Sequence, residues 1–175
     1  LLREERLRGV DAVAPCAASD AFLRRLTVPF VRPAEIAGIL PFEVERILPC
    51  PIAEVVLRDL PVARTETETS LVVAAVPRAS LAAHLSDLQA AGIDPVSAPL
   101  ALPLLAAAAP VAVPEAARGT WAVVHLEASG TALAVLRDGC LQTLRVLPEA
   151  FRGDDGGAAL ASQIARTIVS LGASP

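Results

Sequence analysis

The sequence predicts a mixed α/β (α+β) protein with two subdomains, and three features of its 175 residues support this fold class. Strand and helix patterns alternate up to about residue 110, and three consecutive strand patterns with a closing helix follow. A proline-rich, turn-like segment, Pro110–Gly119, lies between the two regions. We therefore expect one subdomain over residues 1–112 and a second over residues 119–175. With 54% apolar residues the chain can bury a proper core.

Composition excludes several classes of function. The net charge is −4, all 15 cationic residues are Arg, and the chain has no Lys, Tyr, Asn or Met. A P-loop lysine, a Schiff-base lysine and a catalytic tyrosine are therefore impossible. A basic face for nucleic acid is missing, and 4 Phe with 1 Trp offer little surface for stacking bases.

The cysteines and the most apolar segment indicate a cytosolic chain without a membrane span. Cys16, Cys50 and Cys140 stand far apart, so we expect neither a disulfide framework nor a zinc site. The segment Pro95–Pro110 is shorter than the roughly 20 residues that a bilayer needs, and prolines interrupt it. We interpret it as a buried strand end followed by a short helix. The chain has no Met and opens in what resembles the tail of a helix, which indicates a fragment of a longer protein.

Hydrophobic periodicity and turn residues define the elements of the first region. The predicted elements are a helix Leu1–Arg8 ended by Gly9, a strand Val10–Ala14, a turn Cys16–Asp20, a strand Phe22–Val28, a helix Pro33–Leu48 and a strand Ala53–Val62. Residues 20–66 thus form a strand–helix–strand insertion in the first subdomain.

The Pro33–Leu48 helix is the best defined of these elements. Pro33 suits a first helical position, where its missing N–H would have had no partner. Apolar residues recur at helical spacing and predict a buried stripe, made of Ile36, Ile39, Leu40, Val44, Ile47 and Leu48. Pro41 should bend the helix, because it removes an internal hydrogen bond. The other side carries Glu35, Glu43 and Glu45, a solvated face that is also a candidate partner surface.

A βαβ unit is predicted next. After a polar connector, Arg64–Ser70, the continuous apolar run Leu71–Val76 indicates a strand covered on both faces. A helix follows over Arg78–Ala91, and Gly92 suits its left-handed C-terminal cap. Its buried stripe should comprise Leu81, Leu85 and Leu88. A further strand starts at Ile93, and the crossover should be right-handed.

The second region is predicted to form a three-stranded meander followed by a helix. Its three strands are Trp121–Leu126, Thr131–Leu136 and Cys140–Val146. Asp138-Gly139 is a strong signal for a two-residue hairpin. The helix Gly156–Ser170 closes the chain, with Leu160, Ile164, Ile168 and Leu171 on one face.

These motifs together resemble a known family. A strand ending in Leu-x-Val-Pro-Phe leads into a helix with Pro-Phe-Glu-Val-Glu, then Leu-Pro-x-Pro and a Glu-Val-Val-Leu strand. The run is similar to the actin-like cytoplasmic proteins of bacterial secretion and pilus machines. These are the L component of type II secretion (GspL) and its type IV pilus relative (PilM). The resemblance covers about Val10–Leu171, and it implies part of an actin-like ATPase, or ribonuclease-H-like, fold.

The resemblance also implies a degenerate phosphate loop. Actin-type ATPases carry the pattern Asp-x-Gly-x-x-x-Thr in the corresponding hairpin. Here Ser129 and Thr131 fit the version of the secretion and pilus relatives, but His125 replaces the Asp and Glu127 replaces the Gly. Neutral imidazole is a poor ligand for Mg²⁺. The Glu charge would repel each phosphate charge by roughly 4 kcal/mol at about 4 Å and an effective dielectric near 20. We therefore expect no catalytic residue, no metal and no cofactor.

The implied function is a non-catalytic cytoplasmic scaffold of a type II secretion inner-membrane platform. The resemblance implies docking to the secretion ATPase and to neighbouring inner-membrane components, with a transmembrane helix beyond Pro175, and it leaves homodimerisation open. The Asp and the Gly of the phosphate loop are missing at His125 and Glu127, and their absence favours the L component over the pilus relative. The pilus relative would bind a membrane partner's N-terminal tail in a groove between subdomains. An active actin-fold ATPase or sugar kinase, and an unrelated α/β domain, stay open as alternatives.

Overall fold

The computed structural model describes residues 11–127, 130–147 and 157–172, with side chains up to residue 169 in the last helix. The strands are β1 (Ala12–Val13), β2 (Phe22–Val28), β3 (Val55–Arg64), β4 (Thr69–Pro77), β5 (Pro95–Ser97), β6 (Thr120–Glu127), β7 (Gly130–Arg137) and β8 (Cys140–Leu147). The helices are α1 (Pro33–Glu45), α2 (Arg78–Ala90), α3 (Ala101–Ala112) and α4 (Gly157–Gly172). Short 3₁₀ turns cover Ala18–Asp20, Ile52–Glu54 and Pro114–Ala117. The mixed α/β class is confirmed, whereas the predicted helix Leu1–Arg8 lies outside the described residues.

The strands of the described residues form three sheets. Strands β1 and β5 pair in parallel, and the second sheet has the antiparallel order β2-β4-β3. The third sheet is the predicted antiparallel meander, in the order β6-β7-β8. Its second hairpin turns at Asp138 (φ 52°) and Gly139 (φ 74°), so both central residues adopt the left-handed conformation that the Asp-Gly pair predicted.

Helix α1 covers one face of the second sheet. Its buried residues Ile36, Leu40 and Val44 pack with residues of that sheet, among them Leu71 and Val73. The predicted end at Leu48 is wrong, because α1 stops at Glu45 and the next residues form a turn closed on the Val44 carbonyl. The N–H groups of Ile47 and Leu48 both donate to that carbonyl, and Pro49 and Pro51 have no N–H with which the ladder of helical hydrogen bonds could continue. Ile47 is 39% exposed and lies outside the buried stripe.

Helix α2 differs from its prediction in burial. Leu81, Leu85 and Leu88 are half-buried, and no side chain of α2 is fully buried. The predicted cap is present, because Gly92 has φ +80° and its N–H donates to the Gln89 carbonyl at 2.9 Å. The helix therefore ends as expected but lies over a partly open space.

The predicted βαβ crossover is wrong. Strand β4 pairs with β2 and β3 on its two edges, whereas β5 pairs with β1 in another sheet. Because both edges of β4 are occupied, β5 has no edge of that strand to join. Helix α2 therefore connects two sheets rather than two parallel strands of one sheet.

Helix α3 joins the two predicted regions. Leu102 and Ala106 of α3 are buried in one cluster with Val72 of the second sheet and with Leu136 and Leu144 of the meander. The helix continues through Pro110 to Ala112, so the start of the segment predicted as turn-like is helical. The 3₁₀ turn that follows keeps the rest of that segment irregular. The subdomain boundary between residues 112 and 119 stays a prediction.

Helix α4 closes the described chain as predicted. Leu160 is buried, and Ile164 and Ile168 are half-buried on the same side. Thr167 is also buried on this side, and its hydroxyl donates to the Gln163 carbonyl at 3.0 Å. Among the helices that the structure describes, none is long and apolar enough to cross a bilayer.

Candidate functional site

The end of strand β6 brings two of the four predicted site residues together. His125 and Glu127 are two residues apart in β6 and therefore point to the same face of the meander. Thr131 lies opposite Leu126 in the register of β6 and β7, which places its 1% exposed side chain on the other face. Ser129 lies outside the described residues. The predicted turn thus divides into an acid–imidazole pair on one face and a buried threonine on the other.

The Glu127 carboxylate binds two successive main-chain amides. The Ala18 N–H donates to Oε1 at 2.9 Å, and the Ser19 N–H donates to Oε2 at 3.1 Å. These amides start the 3₁₀ turn Ala18–Asp20, where N–H groups lack partners within the turn itself. The Glu127 side chain is only 6% exposed, and Nδ1 of His125 lies 3.0 Å from Oε1. Both oxygens are therefore engaged in short, charge-assisted contacts.

The surroundings of Glu127 favour its ionised form. Burial by itself raises the pKa of this carboxyl group, because it disfavours the charge. The Ala18 amide, the hydroxyl and amide of Ser19 and the nearby His125 each lower it, and the net pKa lies below its ordinary value. We conclude that Glu127 is a buried anion that holds the 3₁₀ turn against the end of β6.

This shift predicts a pH dependence of stability. A lowered folded-state pKa contributes stability that is present above the unfolded-state value of about 4.3 and is lost as the pH falls through the folded-state value. The free energy of unfolding of the natural chain should therefore exceed that of Glu127→Gln at pH 7, and the difference should shrink in acid. Urea unfolding of both proteins between pH 7 and pH 3 measures it. A difference that stays constant with pH would show that the carboxylate is not held as an anion.

Sequence reasoning could not identify the two partners of Glu127. Ala18 and Ser19 contribute main-chain N–H groups, which every residue except proline carries. The only sequence signal in this region was the predicted turn at Cys16–Asp20. That signal locates a bend but not what binds to it.

A groove lies on the far side of the second sheet from α1. Its floor is formed by side chains that share one face of β3 and β4, including Val56, Leu60 and Ala74. One wall includes Leu81 and Leu85 of α2, and the other is the segment 95–104. The cavity has a volume of about 650 Å³, within the range of about 300–1,000 Å³ that is typical of ligand sites. It exists because α2 covers this face only in part.

Polar groups in the groove are few. Arg58 and Asp59 are its charged lining residues, and Arg58 donates to the neighbouring Leu57 carbonyl at 2.8 Å. Cys16 also lines the groove; burial and the nearby Asp20 raise the pKa of its thiol, which makes it a poor nucleophile. The described residues contain no group of three His, Cys, Asp or Glu side chains that could hold a metal ion. The groove is therefore suited to apolar, extended segments rather than to a charged small molecule.

Comparison with known proteins identifies the fold. No family model and no curated protein matches the sequence. A chain of the PilM-PilN type IV pilus biogenesis complex superposes with a TM-score of 0.73 and 27% identity, covering 97% of this chain and 50% of that one.

A second solved structure shows the same architecture. The cytoplasmic domain of EpsL, an inner membrane component of the type II secretion system of Vibrio cholerae, superposes with a TM-score of 0.52 and 18% identity, covering 83% of this chain and 53% of that one. The chain thus spans about half the length of both. Its fold is the actin-like fold of PilM and of the EpsL cytoplasmic domain, which confirms the fold that the sequence motifs predicted, and its likeness to the PilM-PilN chain at 27% identity agrees with the predicted resemblance.

Proposed function

We propose that this chain is part of a non-catalytic scaffold protein at the cytoplasmic face of a bacterial inner membrane, in a platform for secretion or pilus assembly. The observation that carries the proposal is the Glu127 carboxylate bound to the Ala18 and Ser19 amides. This carboxylate lies at the turn where the family resemblance would place the phosphates of a nucleotide. The Glu127 carboxylate, which is an anion of the protein itself, therefore occupies the place that the phosphate groups of a nucleotide would take.

The charges at this turn disfavour catalysis. Repulsion of roughly 4 kcal/mol per pair of charges at about 4 Å corresponds to a loss of about a thousandfold in affinity. His125 stands where the ATPases carry the acid that positions magnesium, and imidazole does not replace hard oxygen ligands. We infer that the fold serves as a platform for protein partners.

The groove beside α2 is the proposed docking site for one such partner. The similarity at 27% identity to a chain from a PilM-PilN complex supports a PilM-like role, in which the groove binds the N-terminal tail of a membrane protein. The apolar floor and the volume of about 650 Å³ suit a short extended segment. Apolar burial supplies the affinity, and the outer edge of β3, which no described strand occupies, offers main-chain groups for pairing.

Tail binding is tested with a fluorescein-labelled peptide that carries the N-terminal residues of a PilN-type protein. Leu85→Arg places a long cation in the groove wall and should weaken binding, measured by fluorescence anisotropy, by about a hundredfold. Val111→Arg is the matched control, because Val111 is 84% exposed on α3 and does not line the groove. Equal binding by Leu85→Arg and the natural chain would refute this site, provided that both variants have the natural circular dichroism spectrum.

A second candidate is the scaffold role of a type II secretion L component, which docks the secretion ATPase. It is favoured by His125 and Glu127, which depart from the phosphate-loop pattern. In this case immobilised natural chain should retain the purified secretion ATPase in a pull-down, and Leu85→Arg should retain it equally well. Failure of the natural chain to retain the ATPase would remove this candidate and leave the tail-binding role untouched.

A further inference from the structure

Arg58 stands among apolar side chains on the floor of the groove. Val56, Arg58 and Leu60 alternate along β3 onto the groove side of the second sheet, and Arg58 lies opposite Ala74 of β4. Asp59, the other charged residue of the groove lining, alternates to the side that α1 covers. Of the charged residues that line the groove in the described part of the chain, Arg58 is thus the one whose side chain β3 directs onto the floor.

The guanidinium of Arg58 has no carboxylate partner among the residues that the structure describes. Its Nη1 donates to the carbonyl of the neighbouring Leu57 at 2.8 Å. Arg58 is exposed, so water can accept from the other N–H groups. A segment that covers Arg58 displaces this water, and a guanidinium taken out of water without a hydrogen-bonded anion is unfavourable. A bound segment must therefore bring an acceptor to Arg58.

The side chains around Arg58 favour apolar residues on either side of that acceptor. Three large apolar residues of the groove lining are exposed, namely Leu60 (37%), Leu104 (42%) and Val96 (66%), and a bound segment would remove them from water. An extended segment directs alternate side chains to one face, so its residues i, i+2 and i+4 can lie beside Val56, Arg58 and Leu60. This row of β3 therefore matches a segment with the order apolar, anionic, apolar at alternate positions.

We propose that Arg58 makes the groove selective for an extended segment that carries Asp or Glu between two apolar residues at alternate positions. The inference rests on the proposed docking function of the groove and adds which segments it accepts. Main-chain carbonyls of a paired strand lie in the plane of the sheet, so it is a side chain that reaches the face on which Arg58 stands. A carboxylate accepts charge-assisted hydrogen bonds from Arg58, whereas an amide is a weaker acceptor and a cation is repelled.

Three fluorescein-labelled peptides test this selectivity: Thr-Val-Thr-Glu-Thr-Leu-Thr and the same peptide with Gln or with Lys in place of Glu. In fluorescence anisotropy the natural chain should bind the Glu peptide about tenfold more tightly than the Gln peptide, and the Lys peptide most weakly. Arg58→Glu should reverse this order, so that the Lys peptide binds best. Arg64→Gln is the matched control, because it removes an exposed cation at the end of β3 that does not line the groove, and it should keep the natural order.

The peptide series distinguishes failure of this selectivity from failure of the docking site. Equal binding of the three peptides by the natural chain, or an unchanged order in Arg58→Glu, overturns the role of Arg58. The PilN-type tail and Leu85→Arg then still decide whether the groove is a docking site. If none of the three peptides binds, the selectivity is overturned as well, and the PilN-type tail again tests the groove independently. Circular dichroism of each variant confirms that it folds, as expected for changes at exposed positions of an outer strand.

Discussion

Glu127→Ala should lower the free energy of unfolding by about 2–4 kcal/mol. The substitution removes the acceptor of the Ala18 and Ser19 N–H groups, and Ala18 is 0% exposed, so water does not readily replace the carboxylate. Hydrogen bonds to a charged group contribute about 1.5–3 kcal/mol each, and a buried donor left without a partner is unfavourable. Urea unfolding followed by far-UV circular dichroism at pH 7 measures the change.

Two further variants separate this effect from a general loss of charge. Glu127→Gln keeps one oxygen acceptor and should lie between Glu127→Ala and the natural chain. Glu66→Ala removes an exposed carboxylate from the loop between β3 and β4, and it should change stability by no more than about 0.5 kcal/mol. If Glu127→Ala behaves like Glu66→Ala, the carboxylate does not hold the turn.

Leu102→Ala should destabilise the chain by about 2–5 kcal/mol, in a single transition. Leu102 is 0% exposed in the cluster that joins Val72 of the second sheet to Leu136 of the meander. A cavity there weakens contacts of both predicted subdomains at once. Trp121 fluorescence, which reports on the meander, and circular dichroism should therefore give the same shifted midpoint of urea unfolding.

The matched control for this cavity is Leu104→Ala in the same helix. Leu104 is 42% exposed, so its truncation should change stability by less than about 1 kcal/mol. Separate transitions in the two signals, with only one of them moved by Leu102→Ala, would show that the two regions do not share a core.

Local signals predicted much of the secondary structure. Strand β2 has the predicted bounds Phe22–Val28, and the Asp138-Gly139 hairpin follows from residues that tolerate a positive φ. The partners of strands were harder to predict. The apolar run in β4 indicates burial on both faces, but it does not say which strands occupy its edges, so the βαβ interpretation failed.

The sequence could reveal the side chains of the candidate site but not the main-chain groups that they bind. His125 and Glu127 stand out because they replace the residues that a phosphate loop needs. The amides of Ala18 and Ser19 carry no such signal, since any sequence supplies N–H groups and only the tertiary fold brings this turn to β6. The groove was likewise beyond the sequence, because it arises from incomplete coverage of the second sheet by α2.

Isothermal titration calorimetry of the full-length protein with ATP and magnesium tests the central claim most directly. If Glu127 permanently occupies the place of the phosphates, the titration should show no saturable binding up to millimolar nucleotide. Magnesium-dependent binding at tens of micromolar or tighter would contradict a scaffold whose phosphate site is filled by its own carboxylate.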